Sequence, residues 1–327
     1  MSVVTRAKWL TPRQRGGSSG SDGREFTTFQ SIDDEGSGLN GKVVVITGAN
    51  SGIGKETAVA LAAMGATTVL ACRNPHKAAE AADEVRERAV TDDVAVVSLD
   101  LADLESVRTA ANTICHRWGR VDVLVNNAGG IWTERETTVQ GFEQTFGVNH
   151  LGHFYLTTLL LDTLIGSAPA RIVNLSSVAH RMAVRGLPWN DLQHQRHYSG
   201  LVVYGQSKLA NVLFTRGLAA RLDPAQVTAN AVHPGPVRSG FGMDGDTKGL
   251  IGLGNRLFRP FETTAVAGAD TVIFLCIDDS VEGQTGGYWS NRNESHVSHA
   301  GHDDAAAARL WAESEQLLAG VGFPSPH

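Results

Sequence analysis

Cysteine is scarce in this chain of 327 residues, which holds three. Cys72, Cys115 and Cys276 lie far apart in sequence and form no C-x-x-C pair. Because secreted domains usually pair their cysteines, this odd and dispersed set excludes a disulfide-rich scaffold and indicates reduced thiols. We therefore expect a cytoplasmic protein.

The chain also lacks an excess of positive charge and a long hydrophobic run. Its 28 Lys and Arg against 34 Asp and Glu give a formal net charge of −6. No global basic field is available to attract nucleic acid or an anionic membrane, so neither is expected as a partner. We expect no membrane span, since no segment approaches roughly 18 continuous apolar residues, and no secretory signal, since no apolar segment follows the basic residues near the N-terminus.

The first part of the sequence differs in composition from the rest. Residues 15–23 and 33–38 consist mainly of Gly, Ser, Asp and Glu, a composition typical of flexible segments. We expect a disordered N-terminal tail over residues 1–38, with an interaction arm as the alternative. No internal repeat or second core follows, so residues 39–320 are predicted to form a single domain.

Short β-branched runs alternate with helical patterns through this domain. The predicted strands are 43–46, 67–71, 94–99, 121–125, 171–175, 227–232 and 287–289, and the predicted helices are 54–64, 75–89, 104–118, 145–165, 204–222, 263–276 and 304–318. This alternation predicts an α/β fold: one doubly wound parallel sheet of the Rossmann type with helices on both faces. Two long irregular stretches, near 182–203 and 238–261, leave the carboxyl ends of strands and are predicted to be substrate lids.

A glycine-rich loop joins the first predicted strand to the first helix. Such a loop lets a phosphate approach the backbone and opens a helix whose free N–H groups face the anion. The spacing here is G-x-x-x-G-x-G, which differs from G-x-G-x-x-G, and a glycine-rich turn without a ligand is the alternative. The residues predicted to bind a dinucleotide pyrophosphate are Gly48, Asn50, Ser51, Gly52, Ile53 and Gly54.

The end of the second strand indicates which dinucleotide is bound. A ribose 2′-hydroxyl calls for an Asp or Glu at this position, and a 2′-phosphate calls for an Arg. Residues 70–75 contain no carboxylate but include Arg73, whose planar fork matches a phosphate. We therefore expect NADP rather than NAD, with a solvated surface arginine as the alternative.

Two further strand ends supply candidate cofactor contacts. The Asp100 carboxylate could accept a hydrogen bond from the adenine amino group, with the Leu101 backbone alongside. A helix N-cap is an equally good interpretation of Asp100. After the fourth strand, Asn127, Ala128 and Gly129 leave space beside a planar ligand.

Tyr204 and Lys208 lie four residues apart in a predicted helix and hence on one face. An unperturbed phenol has a pKa of about 10 and is a poor base at neutral pH. A nearby ammonium, together with the positive charge of an oxidised nicotinamide, favours the phenolate and suits the phenol to acid–base work. The alternative is a Tyr and a Lys on an ordinary amphipathic helix.

Two other polar positions complete the candidate catalytic set. Ser176 and Ser177 end the fifth strand, where one hydroxyl could hold a substrate carbonyl or alkoxide, or simply form a turn. Asn149 lies within an apolar helix, where it could hold a water connected to Lys208 or be a satisfied buried amide.

Taken together, these residues and residues 233–239 resemble the short-chain dehydrogenase/reductase family. Residues 71–73, 148–154, 176–180 and 204–214 are most similar to its retinol dehydrogenase-like branch. The resemblance implies that Tyr204 is the acid–base residue, Lys208 binds the nicotinamide ribose, Ser177 orients the carbonyl and Asn149 holds a relay water. It also implies that Pro234 and Val237 border the nicotinamide.

The resemblance implies an NADP(H)-dependent oxidoreductase acting on a small alcohol or carbonyl, which we expect to be apolar. In this family helices such as 145–165 and 204–222 often pair between subunits, so a homodimer is expected. The alternative function is a dinucleotide-sensing regulatory protein without turnover. His296, His299 and His302 are predicted to lie in a solvated loop rather than to bind a metal.

Overall fold

The computed structural model describes residues 38–235 and 264–327. In these residues eight strands join in one sheet, in the order β3-β2-β1-β4-β5-β6-β7-β8. The strands are β1 (Val43–Thr47), β2 (Thr67–Cys72), β3 (Val94–Ser98), β4 (Val123–Asn126), β5 (Ala170–Leu175), β6 (Val227–Val232), β7 (Tyr288–Ser290) and β8 (Asn293–Glu294). The first seven run parallel, and β8 returns antiparallel to β7.

The longer helices are α1 (Gly52–Ala63), α2 (Pro75–Ala89), α3 (Leu104–Trp118), α4 (Gly152–Gly166), α5 (Gly200–Ala219), α6 (Ala265–Ile277) and α7 (Asp304–Gly320). Local sequence sets several of their ends. The Asn74 side chain accepts hydrogen bonds from the first backbone N–H groups of α2, and Pro75 occupies its first position. At the end of α3, Gly119 adopts a left-handed conformation with φ of 64° and stops the helix.

The sheet buries apolar side chains on both faces. In β1, Val43 and Val45 belong to the core shared with α3, α4, α5 and α7. Val44 and Ile46 point the other way, into the core shared with α1, α2 and α6. This alternation follows from the period of two in a strand, and it confirms the predicted doubly wound parallel sheet with helices on both faces.

The strand order places the candidate site. β1 pairs with β2 on one side and with β4 on the other, so the chain reverses its direction of winding between β1 and β4. In sheets of this kind ligands bind outside the carboxyl ends of the strands at this switch point. The glycine loop and the ends of β2, β3, β4, β5 and β6 all open onto this edge.

Several predicted element boundaries are wrong. The helix predicted over 145–165 is interrupted, because Gly147–Leu151 is π-helical between the short helical segment Gln144–Phe146 and α4. Helix α5 begins at Gly200 rather than at Tyr204, and residues 178–182 form a 3-10 helix, so the ends of the stretch 182–203 are regular. The two-residue strand β8 was not predicted. The tail over 1–38, apart from Gly38, and the stretch 238–261 lie outside the described residues.

The segment between β5 and α5 is attached to the body of the protein by side chains. The Tyr198 hydroxyl donates to the main-chain oxygen of Trp132 over 2.9 Å. The Gln193 side-chain oxygen accepts from the backbone N–H of Glu143 over 2.7 Å. The guanidinium of Arg309 lies over the Trp189 ring, 4.5 Å from the centre of that ring. These contacts hold the segment against the loop after β4, the start of the helical segment Gln144–Phe146 and helix α7.

Helix α7 covers α4 and α5, the two helices expected to pair between subunits. The Trp311 ring lies 4.9 Å from Phe154 of α4 and 6.0 Å from Phe214 of α5, measured between ring centres. The Arg221 guanidinium lies over the Trp311 ring, 4.1 Å from the ring centre. Residues of the same chain therefore cover part of α4 and α5, and the homodimer stays a prediction.

Candidate active site

The glycine loop forms an anion cradle at the start of α1. Gly48 has φ of +65°, a conformation that favours glycine. A Cβ on Gly54 would lie 2.5 Å from Asn127 Nδ2 and 2.8 Å from the Gly48 oxygen, so the turn closes only with glycine there. Within the described residues no side chain caps α1 at Ser51 and no acidic residue lies in its first turn. The first N–H groups of α1 are thus available to a phosphate.

The loop after β4 is joined to the glycine loop through Thr47. The fully buried Thr47 Oγ1 accepts hydrogen bonds from the backbone N–H groups of Asn127 and Ala128, both at 2.9 Å. The Asn127 side chain donates to the main-chain oxygen of Thr47 at 2.7 Å. Asn127 was predicted to contact the cofactor; the structure shows its amide holding the two loops together at the switch point.

Asp100 lies at the same edge, after β3. Its Oδ1 accepts from the Ala102 N–H over 2.9 Å, which forms a turn. The N-cap of α3 is Asp103, whose carboxylate accepts from the Glu105 N–H, so the N-cap interpretation of Asp100 is wrong. Leu101 is buried, and its main-chain oxygen packs against α4.

Arg73 follows β2 directly and is exposed. It has no salt bridge to any residue in 38–235 or 264–327. Other arginines of this part of the chain, such as Arg86 and Arg88 on α2, are paired with carboxylates. The guanidinium of Arg73 is therefore available to an anion from solvent.

Asn149 lies in the π-helical segment, a kind of irregularity common at functional sites. Its amide donates to the Gly130 oxygen at 2.9 Å and to Ser207 Oγ at 3.0 Å, and its Oδ1 accepts from the Gly130 N–H at 2.8 Å. A Cβ on Gly129 would lie 3.0 Å from Asn149 Oδ1 and 3.4 Å from Lys208 Nζ. The structure thus brings Asn149, Gly129 and Lys208 together.

Ser177, Tyr204 and Lys208 also meet at this edge. The Ser177 hydroxyl is hydrogen-bonded to the Tyr204 side chain. Lys208 Nζ lies 5.5 Å from the centre of the Tyr204 ring and donates to the Leu175 oxygen over 3.3 Å. The neighbouring Ser176 points away, and its hydroxyl donates to the Lys208 main-chain oxygen over 2.8 Å. The geometry therefore distinguishes the two serines, of which the resemblance implies Ser177 as the one that orients the carbonyl.

Burial shifts the pKa values of both Tyr204 and Lys208. Burial raises the pKa of Tyr204 to about 12, although the hydrogen bond with Ser177 acts in the opposite direction. Burial also lowers the pKa of Lys208 to about 8. In the protein alone, loss of water thus disfavours both the phenolate and the ammonium. The expectation that Lys208 and an oxidised nicotinamide together favour the phenolate stays a prediction.

Thr47, His153 and Ser207 also belong to the site, although they were not among the predicted site residues. His153 is buried, with Nε2 2.9 Å from Thr47 Oγ1 and Nδ1 3.1 Å from the Asn149 oxygen. It links the glycine loop to the π-helical segment. The one sequence signal for it was a histidine within an apolar helix, four residues after Asn149.

The last predicted cofactor contacts lie after β6. Pro234 is half-buried at the carboxyl edge of the sheet, and Val237 lies outside the described residues. In residues 38–235 and 264–327 no group of three His, Cys, Asp or Glu side chains is arranged to hold a metal ion. None of the described helices has the length and apolarity needed to cross a membrane.

The family model for short chain dehydrogenases matches residues 42–189. Retinol dehydrogenase 12 from Homo sapiens is 46% identical over 280 residues, 86% of this chain and 87% of that protein. Retinol dehydrogenase 13 from Homo sapiens is 42% identical over 294 residues, with 88% and 87% coverage.

Among solved structures, an uncharacterized protein from Mycobacterium paratuberculosis is similar in both sequence and fold. It is 34% identical, with a TM-score of 0.68 and coverage of 89% of this chain and 97% of that one. The sequence resemblance is thereby confirmed. The chain belongs to the short-chain dehydrogenase/reductase family of oxidoreductases, in its retinol dehydrogenase-like branch.

Proposed function

We propose that the protein is an NADP(H)-dependent oxidoreductase that interconverts an alcohol and a carbonyl by hydride transfer. The observation that carries this proposal is the meeting of Ser177, Tyr204 and Lys208 beside the glycine cradle at one edge of the sheet. The proposal treats residues 39–320 as a single catalytic domain.

The residues present fit a dinucleotide. The uncapped start of α1 and the close packing at Gly54 suit a pyrophosphate. The small residues at 128–129 would leave room for a planar ring. Asp100 would hold the adenine, and Lys208 the nicotinamide ribose. When bound, the dinucleotide supplies or accepts the hydride, and its oxidised ring carries a positive charge.

In the direction of reduction, Tyr204 acts as the acid. Because its pKa is raised to about 12, the phenol is protonated at neutral pH. It donates this proton to the substrate oxygen as the carbonyl carbon gains hydride, and the product is the alcohol. Ser177 would hold the same oxygen by donating a hydrogen bond, since its own oxygen accepts from the Ala179 N–H at 3.2 Å.

In the direction of oxidation, Tyr204 must lose its proton first. Lys208 is the cation beside the ring, and the positive charge of a bound oxidised nicotinamide would add to it and favour the phenolate. Asn149 Oδ1 accepts one hydrogen bond from protein and has capacity for another, which we assign to a water between it and Lys208.

The preference for NADP rests on Arg73. This guanidinium is exposed, has no salt-bridge partner among the described residues and follows β2, where a 2′-phosphate would lie. Residues 70–75 contain no carboxylate that would repel that phosphate. Dinucleotide affinity measured for NADPH and NADH tests the preference directly.

The substrate is proposed to be a small apolar alcohol or carbonyl, a class that includes the retinol named in the similar proteins. The test follows reduced-nicotinamide absorbance with purified protein, NADPH and a panel of apolar aldehydes and ketones. We expect oxidation of NADPH with at least one member of the panel. Tight NADPH binding without turnover on a broad panel would contradict the proposal and favour a regulatory protein. A cytoplasmic location and a homodimer stay predictions.

A further inference from the structure

His180, which is not among the predicted catalytic residues, is hydrogen-bonded through both of its ring nitrogens, one of them to Ser177. His180 lies in the 3-10 helix Val178–Met182 and is fully buried. Its Nδ1 lies 2.7 Å from the main-chain oxygen of Ser177, and its Nε2 lies 3.1 Å from the backbone nitrogen of Ser298. The ring therefore connects the candidate catalytic loop to a segment 118 residues further along the chain.

The two partners fix the form of the imidazole. A backbone N–H can only donate, so Nε2 must accept from Ser298 and carry no proton. The proton of neutral His180 is then on Nδ1, from which it donates to the Ser177 oxygen. Burial lowers the pKa of His180, which keeps this neutral form at physiological pH. The two hydrogen bonds therefore fix both the tautomer and the orientation of the His180 ring.

Neighbouring groups leave the ring little freedom. Its centre lies 4.8 Å from that of the Tyr288 ring of β7, in an edge-to-face contact. The charged Arg181 is adjacent in sequence and donates a hydrogen bond to the main-chain oxygen of His296. His233 lies near His180, and a positive charge on either imidazole would disfavour one on the other. The ring is thus packed as well as hydrogen-bonded.

We propose that His180 is a positioning residue for the reaction, which holds Ser177 at the place where its hydroxyl meets the substrate oxygen and Tyr204. This inference rests on the proposed function. Ser177 follows β5 in an extended conformation, with φ of −158° and ψ of 156°, and its oxygen accepts from both the backbone and the side chain of His180. Loss of the side-chain bond leaves this oxygen held by the His180 N–H alone, so the Ser177 peptide is less firmly fixed. A displacement of about 1 Å is enough to reduce turnover strongly.

Two substitutions separate the two hydrogen bonds. In His180→Asn the side-chain amide nitrogen takes the place of Nδ1 and keeps the bond to the Ser177 oxygen. In His180→Gln the longer side chain places its oxygen where Nε2 lies, which keeps the bond from Ser298 and loses that to Ser177. We expect His180→Gln to lower kcat roughly 10- to 100-fold, and His180→Asn to retain most of the wild-type kcat.

The remaining readouts exclude a general structural effect. KM for the carbonyl substrate and the dissociation constant for NADPH should stay at wild-type values in both variants, because Ser177 acts in the transition state. A His180→Gln variant as active as His180→Asn, or a loss confined to KM or to NADPH binding, would overturn the inference.

A second pair of variants decides the question if the His180 variants fail to fold. Ser298 has φ of −64°, a value that proline adopts. Ser298→Pro therefore removes the donated N–H without a change in the φ angle of this residue. Ser298→Ala keeps the N–H and is the matched control. We expect kcat to fall several-fold in Ser298→Pro and to stay at the wild-type value in Ser298→Ala. Without the Ser298 N–H, either ring nitrogen of His180 can carry the proton, so the bond to the Ser177 oxygen is no longer fixed. Equal kcat in the two variants would overturn the inference.

These outcomes are separate from failure of the proposed function. If wild-type protein shows no turnover, the proposed function is lost. If wild type turns over while the His180 and Ser298 variants match it, the proposed function stands and the role of His180 is lost.

Discussion

Ser176 and Lys208 are joined by a hydrogen bond in which the Ser176 hydroxyl donates to the Lys208 main-chain oxygen over 2.8 Å. The bond fastens the end of β5 to the helix that carries Tyr204 and Lys208. Ser177, one residue on, faces the Tyr204 side chain instead. The two adjacent hydroxyls therefore have different tasks, one in stability and one in the reaction.

Alanine at each position should separate these tasks. Ser177→Ala removes a donor to the developing oxyanion, and we expect kcat to fall about 100- to 1,000-fold. Ser176→Ala removes one buried hydrogen bond, and we expect the free energy of unfolding to fall by about 1 kcal/mol. Steady-state kinetics and urea denaturation of both variants check this. A larger loss of kcat in Ser176→Ala than in Ser177→Ala would show that the assignment is reversed.

Replacement of Arg73 should change the dinucleotide preference. Arg73→Gln removes a charged partner of the 2′-phosphate, and we expect the dissociation constant for NADPH to rise about 10- to 100-fold. Binding of NADH, which lacks this phosphate, should stay the same. Fluorescence titration with both dinucleotides measures the two constants. Arg185→Gln, another exposed arginine, is the control and should leave both unchanged; equal losses for NADPH and NADH in Arg73→Gln would contradict the proposed contact.

Lys208 should make stability depend on pH in a defined direction. Its folded-state pKa is lowered to about 8 from the ordinary 10.5, so between these values the unfolded chain binds more protons than the folded protein. Stability from this residue therefore rises with pH through that window and is lost as pH falls through 8.

The comparison with Lys208→Met isolates this contribution from other titrating groups. We expect the free energy of unfolding of wild type, relative to Lys208→Met, to increase by about 2 kcal/mol between pH 8 and pH 10. Urea denaturation at several pH values measures the difference. A difference that is constant over this range, or that decreases, would show that the ammonium is not buried as the structure places it.

Trp311 should be a major source of stability. It is 5% exposed and packs on Phe154 and Phe214. Trp311→Ala leaves a cavity between α4, α5 and α7, and we expect a loss of about 3–5 kcal/mol in the free energy of unfolding. Val139→Ala, at a position that is 73% exposed, is the control and should be near neutral. A neutral Trp311→Ala variant would mean that α7 does not pack on these helices.

Much of the fold could be predicted because its signals are local. Residues 43–46 and 227–232 are short β-branched or apolar runs between turns, and Asn74 with Pro75 marks the start of α2 within a few residues. The strand β4 was predicted to begin at Val121 but begins at Val123. The Asp122 carboxylate binds the Val43 N–H together with Arg120, which is a contact between distant residues that no local pattern encodes.

In the candidate site too, local patterns could be predicted from the sequence and contacts between distant residues could not. The glycines, Tyr204 and Lys208 could be predicted because their spacing reflects a loop or one helical turn. Ser176 and Ser177 differ in which hydroxyl faces Tyr204, which only the resemblance and not the residues themselves could indicate. One partner each of His153 and His180 lies 106 and 118 residues away in sequence. The raised pKa of Tyr204 also depends on burial, a property of the folded protein.

The central claim is that the Tyr204 phenol transfers the proton, and Tyr204→Phe tests it most directly. This variant keeps the ring and removes the hydroxyl. With the best carbonyl substrate and saturating NADPH, we expect kcat to fall about 100- to 10,000-fold while NADPH still binds with wild-type affinity. A Tyr204→Phe variant that consumes NADPH at the wild-type rate would contradict the account.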